Sequence, residues 1–343
     1  MSEKVILGFD TSCDDTGVGV VIGGVRGGRV VANVVASQTA LHAAFGGVMP
    51  EQASREHLSV IDTVLQRALA EADITLDDVT HVAATYGPGL IGALLVGLNY
   101  AKGLAWARGL PFVPVHHLEG HIASALADGG AEPPFLCLIA SGGHSSLFDV
   151  RAWGSYLELG RSRDDAAGEA FDKAARLLGL GYPGGAALSR LAESGNPQAF
   201  PFTMPLRGQT GFDFSFSGLE TAISVLLQKQ PDANKADVAA SFERVVVESL
   251  VQTALKAASA TGYATLVVAG GVAANRKLRE RLAQTPLTVK VPPLSLATDN
   301  GAMIALAAHA RLGAGLTDAE TVDATPYLPL SEVSRALDAI ARS

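Results

Sequence analysis

Twice along the chain an apolar run suited to a strand ends in a small polar turn and is answered by a second such run. KVILGF (4–9) leads through DTSCDDT to GVGVVI (17–22), and FLCLIA (135–140) leads through SGGHS to SLFDV (146–150). The glycines of GGVRGG allow a hairpin from the first pair into RVVANVVAS (29–37). Pro50 opens a helix in which Leu58, Ile61, Leu65 and Leu69 recur at helical spacing as far as Ala70. HVAAT (81–85) is a strand, YGPGL a glycine turn, 90–108 a helix and PFVPV (111–115) a short buried strand. After the restart, a helix is expected over about 236–260, and TLVVAGGVAANRKLRERL (265–282) reads as strand, glycine turn and helix. Alternating strands and helices with two similar starts imply a duplicated α/β architecture. A nucleotide-like ligand then has a place in the cleft between the halves, where glycine turns meet helix N-termini.

Composition fits this reading. A length of 343 residues suits two lobes. With 48% hydrophobic and 17% charged residues the chain can bury a large core, which excludes disorder. The net charge of −8 argues against nucleic-acid binding over the whole surface. NRKLRER (275–281) is a local basic run, either a nucleic-acid contact or a solvated helix face. Cys13 and Cys137 make no disulfide framework. MSEKVILGFD lacks the shape of a signal peptide. The most apolar stretch, 90–106, is interrupted by Asn99, Lys102 and three glycines and is expected to be a buried core helix. A cytoplasmic protein with no membrane segment is expected. In FDFSFSGLE (212–220), Ser217 and Glu220 have the spacing of a capping box, and the alternating Phe212, Phe214 and Phe216 suit core packing.

HHLEGH (116–121) sets His117 and His121 four apart, on one face of a helix. That is the spacing of the metal ligands in H-E-x-x-H proteases, but Leu118 stands where the glutamate would be. Glu119 projects away from the histidine face, and His116 is also off it. The pair is either structural or two-thirds of a metal site. Asp299, in LATDNGAMIA, is a candidate third ligand and equally a candidate N-cap. Two imidazoles and a carboxylate suit Fe(II), or Zn(II) in a catalytic site.

Several segments together are similar to one family across almost the whole chain. They are TSCDDTGV (11–18), GGVMPEQASREHL (46–58), TYGPGLIGALLVG (85–97), HHLEGH (116–121), SGGHS (141–145), GEAFDKAARLLGLGYPGG (168–185), FDFSFSGLE (212–220), AGGVAANRKLR (269–279) and TDNGAMIA (298–305). In this order they resemble the universal family of tRNA N6-adenosine threonylcarbamoyltransferases, once labelled O-sialoglycoprotein endopeptidases. Asp10 and Asp15 stand where many relatives have glutamate, and Glu220 where relatives often have lysine.

The resemblance implies an actin/Hsp70/sugar-kinase-like (ASKHA) α/β fold of two ribonuclease-H-like lobes about a central cleft. The first lobe is expected over 1–115 and the second over 116–343, with the terminal helix able to pack back on the first. It implies one divalent metal per subunit, Fe(II) or Zn(II), on His117, His121 and Asp299. It implies a substrate pocket at Ile139, Ala140, Ser141, Gly142, Gly143, Asp172, Gly185 and Asn275. The implied reaction is metal-assisted acyl transfer. The threonylcarbamoyl group passes from threonylcarbamoyl-AMP to N6 of adenosine 37 in tRNAs reading codons that start with A, and AMP leaves. Asp14 or Asp15 is the expected general base. Implied partners are an inactive paralogue forming a heterodimer and a small P-loop ATPase. The apolar helices near 51–70 and 90–108 are candidates for the paralogue interface, with core burial as the alternative. A sugar kinase or ATPase on the same fold has no need of the histidine pair. A metalloprotease needs the missing glutamate, and the family's inactive scaffolds lack the pair.

Overall fold

Both expected starts fold into five-stranded sheets with the same strand order. The structure, a computed structural model, describes residues 3–24, 27–43, 45–127, 130–316 and 322–333. The first sheet is built from β1 (Lys4–Asp10), β2 (Asp15–Gly23), β3 (Gly28–Ser37), β4 (His81–Gly87) and β5 (Phe112–His116), in the order β3-β2-β1-β4-β5. β1 is antiparallel to β2 and parallel to β4, and β5 is parallel to β4. The second sheet uses β6 (Phe135–Ala140), β7 (Ser145–Ala152), β8 (Ser155–Arg161), β9 (Thr265–Ala269) and β10 (Thr288–Lys290), in the order β10-β9-β6-β7-β8. Counted from its own first strand this is again 3-2-1-4-5, with β6, β9 and β10 parallel. The duplication read from the two apolar starts is a duplication of topology.

By chain contacts there are two units. Unit 1 is Met1–Pro133, Val150–Leu157 and Pro292–Ser343, and unit 2 is Pro134–Asp149 and Glu158–Val291. The division expected after residue 115 falls inside unit 1. The cause is the packing of α4 (His117–Ala123) and α10 (Gly301–Gly313) on each other and of α10 on the first sheet. Residues 334–343, the end of the second expected lobe, lie outside the described residues.

Unit 1 covers both faces of its sheet. Leu7, Phe9, Val18 and Val20 point to α2 (Pro50–Glu71) and α3 (Ile91–Arg108), while Ile6 and Val21 point to α10, as the two-residue period of a strand requires. Glycines set how closely α10 lies on the sheet. A Cβ on Gly19 would fall 2.2 Å from the Ala302 nitrogen, and one on Gly17 would fall 2.6 Å from that of Gly301. A helix that lies flush on β1 and β2 brings its N-terminal end, with Asp299 and Asn300, against the strands. α1 (Thr39–Ala43) and then α2 lead from β3 to β4.

Two helix readings change. On α2 the buried face is Ala53, His57, Ile61, Val64, Leu65, Ala68 and Leu69, and Leu58 is 71% exposed. The core row passes through His57, one residue from Leu58 and about 100° around the helix. The stretch at 90–106 forms α3, but it is not buried all round. Ala93, Leu94, Gly97, Leu98, Ala101 and Ala105 face the core, whereas Trp106 is 88% exposed. Among the described residues no helix is long and apolar enough to cross a membrane.

Unit 2 packs α5 (Ala167–Leu177), α6 (Gly185–Ala192), α7 (Ser217–Lys229), α8 (Lys235–Thr261) and α9 (Arg276–Ala283) around its sheet. Asn234 caps α8 by accepting from the Ala236 and Asp237 amides, and Gly262 ends it at φ 75°. Phe214 and Phe216 are fully buried, as their alternation suggests. The expected capping box at α7 does not form. Asp164 takes the place of Glu220, accepting from the Phe216 and Ser217 amides, and occupies the Ser217 hydroxyl as an acceptor. Glu220 stands 3.8 Å from Lys173 instead. A carboxylate 53 residues away in sequence outcompeted the local pair, which spacing alone cannot reveal.

Candidate metal centre and ligand loops

The two histidines, Asp299 and the turn after β1 all belong to unit 1. His116 caps α4 by accepting the Leu118 amide on Nδ1, and its Nε2 donates to the Leu328 carbonyl. That orients α4 with His117 and His121 on one side, their rings 4.8 Å apart. Gly120, between them, lies against α10, where a Cβ would meet Ile304 Cδ1 at 2.8 Å. α10 in turn carries Asp299 at its entrance. Its Oδ1 is 3.2 Å from His121 Nε2 and 3.6 Å from His117 Nε2. Asp299 is not the helix cap. Asn300 is, accepting the Met303 amide at 2.9 Å.

One ligand atom from each of His117, His121 and Asp299 lies within 4.8 Å of the others. His121 is fully buried; its Nδ1 has no hydrogen-bond partner among the described residues, and its Nε2 faces only the Asp299 carboxylate at 3.2 Å. A buried imidazole so poorly partnered is costly unless something binds it. The three residues can hold a metal ion, and the donor set of two neutral nitrogens and one carboxylate fits a first-row divalent ion.

Behind the ligands is a polar layer that sequence spacing did not single out. Ser12 Oγ donates to Asp10 Oδ2 at 3.3 Å and lies 3.1 Å from His117 Nδ1. With the Asp10 carboxylate, which can only accept, also facing Nδ1 at 3.5 Å, these contacts favour the tautomer with its proton on Nδ1. Thr85 Oγ1 donates to Asp10 Oδ1 at 2.6 Å, and that oxygen is 3.5 Å from His117 Nδ1. Burial opposes charge on His117, but the Asp299 and Asp10 carboxylates outweigh it and raise the imidazole to about 9. The only sequence signal for this layer was Asp10 in the place of a family glutamate.

The acidic turn holds the candidate bases. Asp15 begins β2, and burial pushes it up to about 7, with Asp14, Asp299 and Asp10 adding to the rise and a hydrogen bond from Ser37 opposing it. Its buried Oδ1 has no partner among the described residues. Asp14 lies in the turn before it, and its carbonyl accepts the Gln38 amide. Burial, with Asp14, Asp299 and Asp10, pushes the Cys13 thiol up, so it is no thiolate nucleophile. Glu119 points away from the histidines, as its position predicts. Its carboxylate accepts from Tyr156 at 2.7 Å and from Arg311 at 2.8 Å, with all three buried. It is not placed to serve a hydrolytic water at the histidines.

In unit 2, residues 139–143 and Asn275 lie at or after the carboxyl ends of two adjacent parallel strands, while Asp172 lies on α5 and Gly185 begins α6. Ile139 pairs with Ala269, so the turns after β6 and β9 leave the sheet side by side. Gly270, at φ 88°, lets them touch, since a Cβ there would fall 2.5 Å from the Ala140 oxygen. Ile139 and Ala140 are buried strand residues. Ser141 closes the SGGHS turn by accepting the His144 amide on Oγ at 3.1 Å. Gly142 and Gly143 at its tip are exposed, and a Cβ on either meets nothing within 4 Å. Asp172 accepts the Gly184 and Gly185 amides at 2.7 and 3.1 Å, which fixes the start of α6. Burial raises its carboxyl, and those two amides oppose the rise. Asn275 caps α9 through Oδ1, and its amide donates to Ser189 and Glu243. Every polar atom of its side chain is therefore engaged within the unit. In the basic run, Arg276 pairs with Glu193 and Glu280, Lys277 with Glu280, and Arg281 with Glu248. Arg279 donates to the Ala273 carbonyl.

Comparison with known proteins gives one consistent answer. Residues 29–306 match the family model described as TsaD, tRNA N6-adenosine threonylcarbamoyltransferase. A protein of that name from Thermus thermophilus is 56% identical over 328 residues, covering 95% of this chain and 99% of its own length. One from Clostridium botulinum strain Kyoto is 46% identical over 342 residues, covering 97% and 100%. Among solved structures, HypF of T. kodakarensis superposes with a TM-score of 0.62 at 14% identity, over 93% of this chain and 49% of its own. Component A of the Acidaminococcus fermentans (R)-2-hydroxyglutaryl-CoA dehydratase gives 0.55 at 17% identity, over 92% and 100%. These distant likenesses show the fold, that of the actin/Hsp70/sugar-kinase group with its two α/β lobes.

Proposed function

The chain belongs to the tRNA N6-adenosine threonylcarbamoyltransferase family, and from that membership we propose that it moves threonylcarbamoyl from threonylcarbamoyl-AMP to N6 of adenosine 37 in tRNAs reading codons that start with A. The observation that carries the reading is the His117–His121–Asp299 group, whose ligand atoms converge and whose His121 is buried with Asp299 as the sole neighbour of its Nε2 among the described residues. In the reaction the adenine N6 attacks the carbamoyl carbon. A C–N bond forms, the bond from that carbon to the phosphate oxygen breaks, N6 loses a proton, and AMP departs.

His117, His121 and Asp299 would hold a divalent ion, Fe(II) or Zn(II), which supplies Lewis-acid stabilisation of negative oxygens. The protein residues do the rest. Asp10 and Ser12 hold the Nδ1 proton of His117 and leave Nε2 as the ligand atom. Asp15 is the proton acceptor for N6, since its free oxygen and a pKa pushed up to about 7 suit a base working near neutrality. Asp14 shapes the turn through its carbonyl. In unit 2, the open tip at Gly142 and Gly143 lets backbone amides approach the adenylate phosphate. Asp172, beside Gly185, and Asn275 border the same loops, with Ile139, Ala140 and Ser141 as the floor.

The reaction belongs in the cytoplasm and within a complex. Unit 1 carries 11 Lys and Arg against 20 Asp and Glu, and unit 2 carries 15 against 14. Neither balance favours tight binding of a polyanion, because RNA affinity draws on cations that neutralise phosphates. The chain therefore relies on partners, an inactive paralogue and a small P-loop ATPase. Leu58 on α2 and Ile91, Leu95 and Trp106 on α3 stay exposed and suit the paralogue contact. The test is nucleoside analysis of tRNA incubated with the protein, its partners, threonine, bicarbonate and ATP. Appearance of the modified adenosine only when this chain is present supports the reading. Its absence with active partners overturns it.

A further inference from the structure

Five groups in unit 1 form a hydrogen-bond relay whose direction is fixed at every step. The Met49 amide donates to His42 Nδ1 at 3.3 Å. His42 Nε2 is 3.1 Å from Gln38 Oε1 and, since a carbonyl oxygen only accepts, carries a proton. Gln38 Nε2 donates to His57 Nδ1 at 3.3 Å and to the Ala53 carbonyl at 3.3 Å. His57 Nε2 donates to the Cys13 carbonyl at 2.9 Å. Thr16 Oγ1 lies 2.7 Å from His57 Nδ1 and shares that single acceptor with Gln38. In this hydrogen-bond pattern each imidazole carries a proton on Nε2.

The relay joins two places of unlike chemistry. One end is the segment before α2, where Phe45 and Met49 are exposed. The other is the turn that carries Asp14 and Asp15, which Gln38 also holds through its amide bond to the Asp14 carbonyl. Gln38, His42 and His57 are all buried. An apolar residue at 57 would continue the core row of α2 without any polar cost, so a fully hydrogen-bonded histidine there calls for a reason beyond packing.

We propose that Gln38 and His57 are positioning residues, holding the acidic turn so that Asp15 meets the substrate amine. The inference rests on the transfer reading above. Gln38 sets the polarity of the relay, because its amide is the only link that both accepts from one histidine and donates to the other. Replacing it by Met removes both links at similar volume. Replacing it by Glu keeps the acceptor for His42 but turns an oxygen toward His57 Nδ1, and the contact then forms only when His57 takes up a proton. In the wild type burial holds the His57 imidazole below its usual value, against the pull of the Cys13 carbonyl and the carboxylates of Asp10, Asp14 and Glu56, so the contact in Gln38→Glu needs the added carboxylate to draw the proton on.

The experiment has two arms. In the reconstituted complex, Gln38→Met lowers kcat for tRNA modification by about 100-fold, the scale of a misplaced reacting group, with KM for tRNA little changed. Gln38→Glu loses transfer as rising pH strips the proton that the added carboxylate needs on His57, a limb the wild type lacks. Nitrogen-15 spectra of the free wild-type chain show both histidines neutral with Nε2 protonated. Wild-type kcat in Gln38→Met, or a His57 imidazolium or Nδ1–H tautomer in the spectra, overturns the proposal. If Gln38→Met does not fold, the Glu variant and the spectra decide alone. Absence of transfer by the wild-type complex overturns the functional reading instead, and the spectra still test the relay.

Discussion

Ser12 Oγ lies 3.1 Å from His117 Nδ1 and 3.3 Å from Asp10 Oδ2, so the turn after β1 holds the ring nitrogen opposite the one that faces Asp299. Ser12→Ala removes that acceptor and leaves the Asp10 oxygen at 3.5 Å. Metal affinity then falls by about 10–100-fold, the usual effect of losing an outer partner of a ligand histidine, with little change in fold. Competition titration against a metal-sensitive dye measures it.

Asp15 gives a pH signature. Its carboxyl is raised by burial to about 7, so the folded protein holds the proton more tightly than the unfolded chain. Its stabilising contribution is whole below the ordinary carboxylate range near 3.8 and is lost as pH rises through about 7. Asp15→Asn abolishes the dependence. The variant matches the wild type in Tm at about pH 4 and exceeds it at about pH 8, while losing most transfer activity. Melting curves across that range test it.

The buried pair of Glu119 and Arg311 is a separate matter of stability. Their side chains are 0% and 4% exposed and 2.8 Å apart. Arg311→Met leaves the Glu119 charge uncompensated and costs about 3–5 kcal/mol, whereas Glu119→Leu with Arg311→Met recovers most of it. Denaturant unfolding of the single and double variants measures both.

Glycines divide by what a Cβ would meet. Gly19→Ala drives a methyl to 2.2 Å from the α10 backbone and destabilises by about 1–3 kcal/mol or more. Gly143→Val meets open space, so Tm holds while binding of a non-hydrolysable adenylate analogue is lost. Calorimetry and equilibrium binding on the two variants separate the roles.

The alternation of KVILGF with GVGVVI, and its echo at FLCLIA, carried the topology because strand period and glycine turns are local signals. The ligand set was legible only in part. His117 and His121 share a helix, so spacing placed them together, but Asp299 reaches them through the packing of α10 on Gly17 and Gly19, a tertiary effect. Ser12 and Asp10 were hidden for the same reason. Leu58 was read into the core row because hydrophobicity ranks residues without regard to a partner such as the Cys13 carbonyl, which lets the neighbouring His57 be buried instead. Ser217 and Glu220 had the right spacing for a cap, but Asp164 took the amides.

The central claim is that His117, His121 and Asp299 hold an ion that transfer to tRNA requires. The most direct measurement is incorporation of labelled threonine into tRNA by the reconstituted complex, with this chain stripped by chelator and then given Fe(II), as wild type and as His121→Ala. The account predicts that stripping abolishes incorporation, that Fe(II) restores it in the wild type, and that His121→Ala stays inactive with less than one bound ion per chain. Full incorporation by stripped protein, or by His121→Ala, would contradict it.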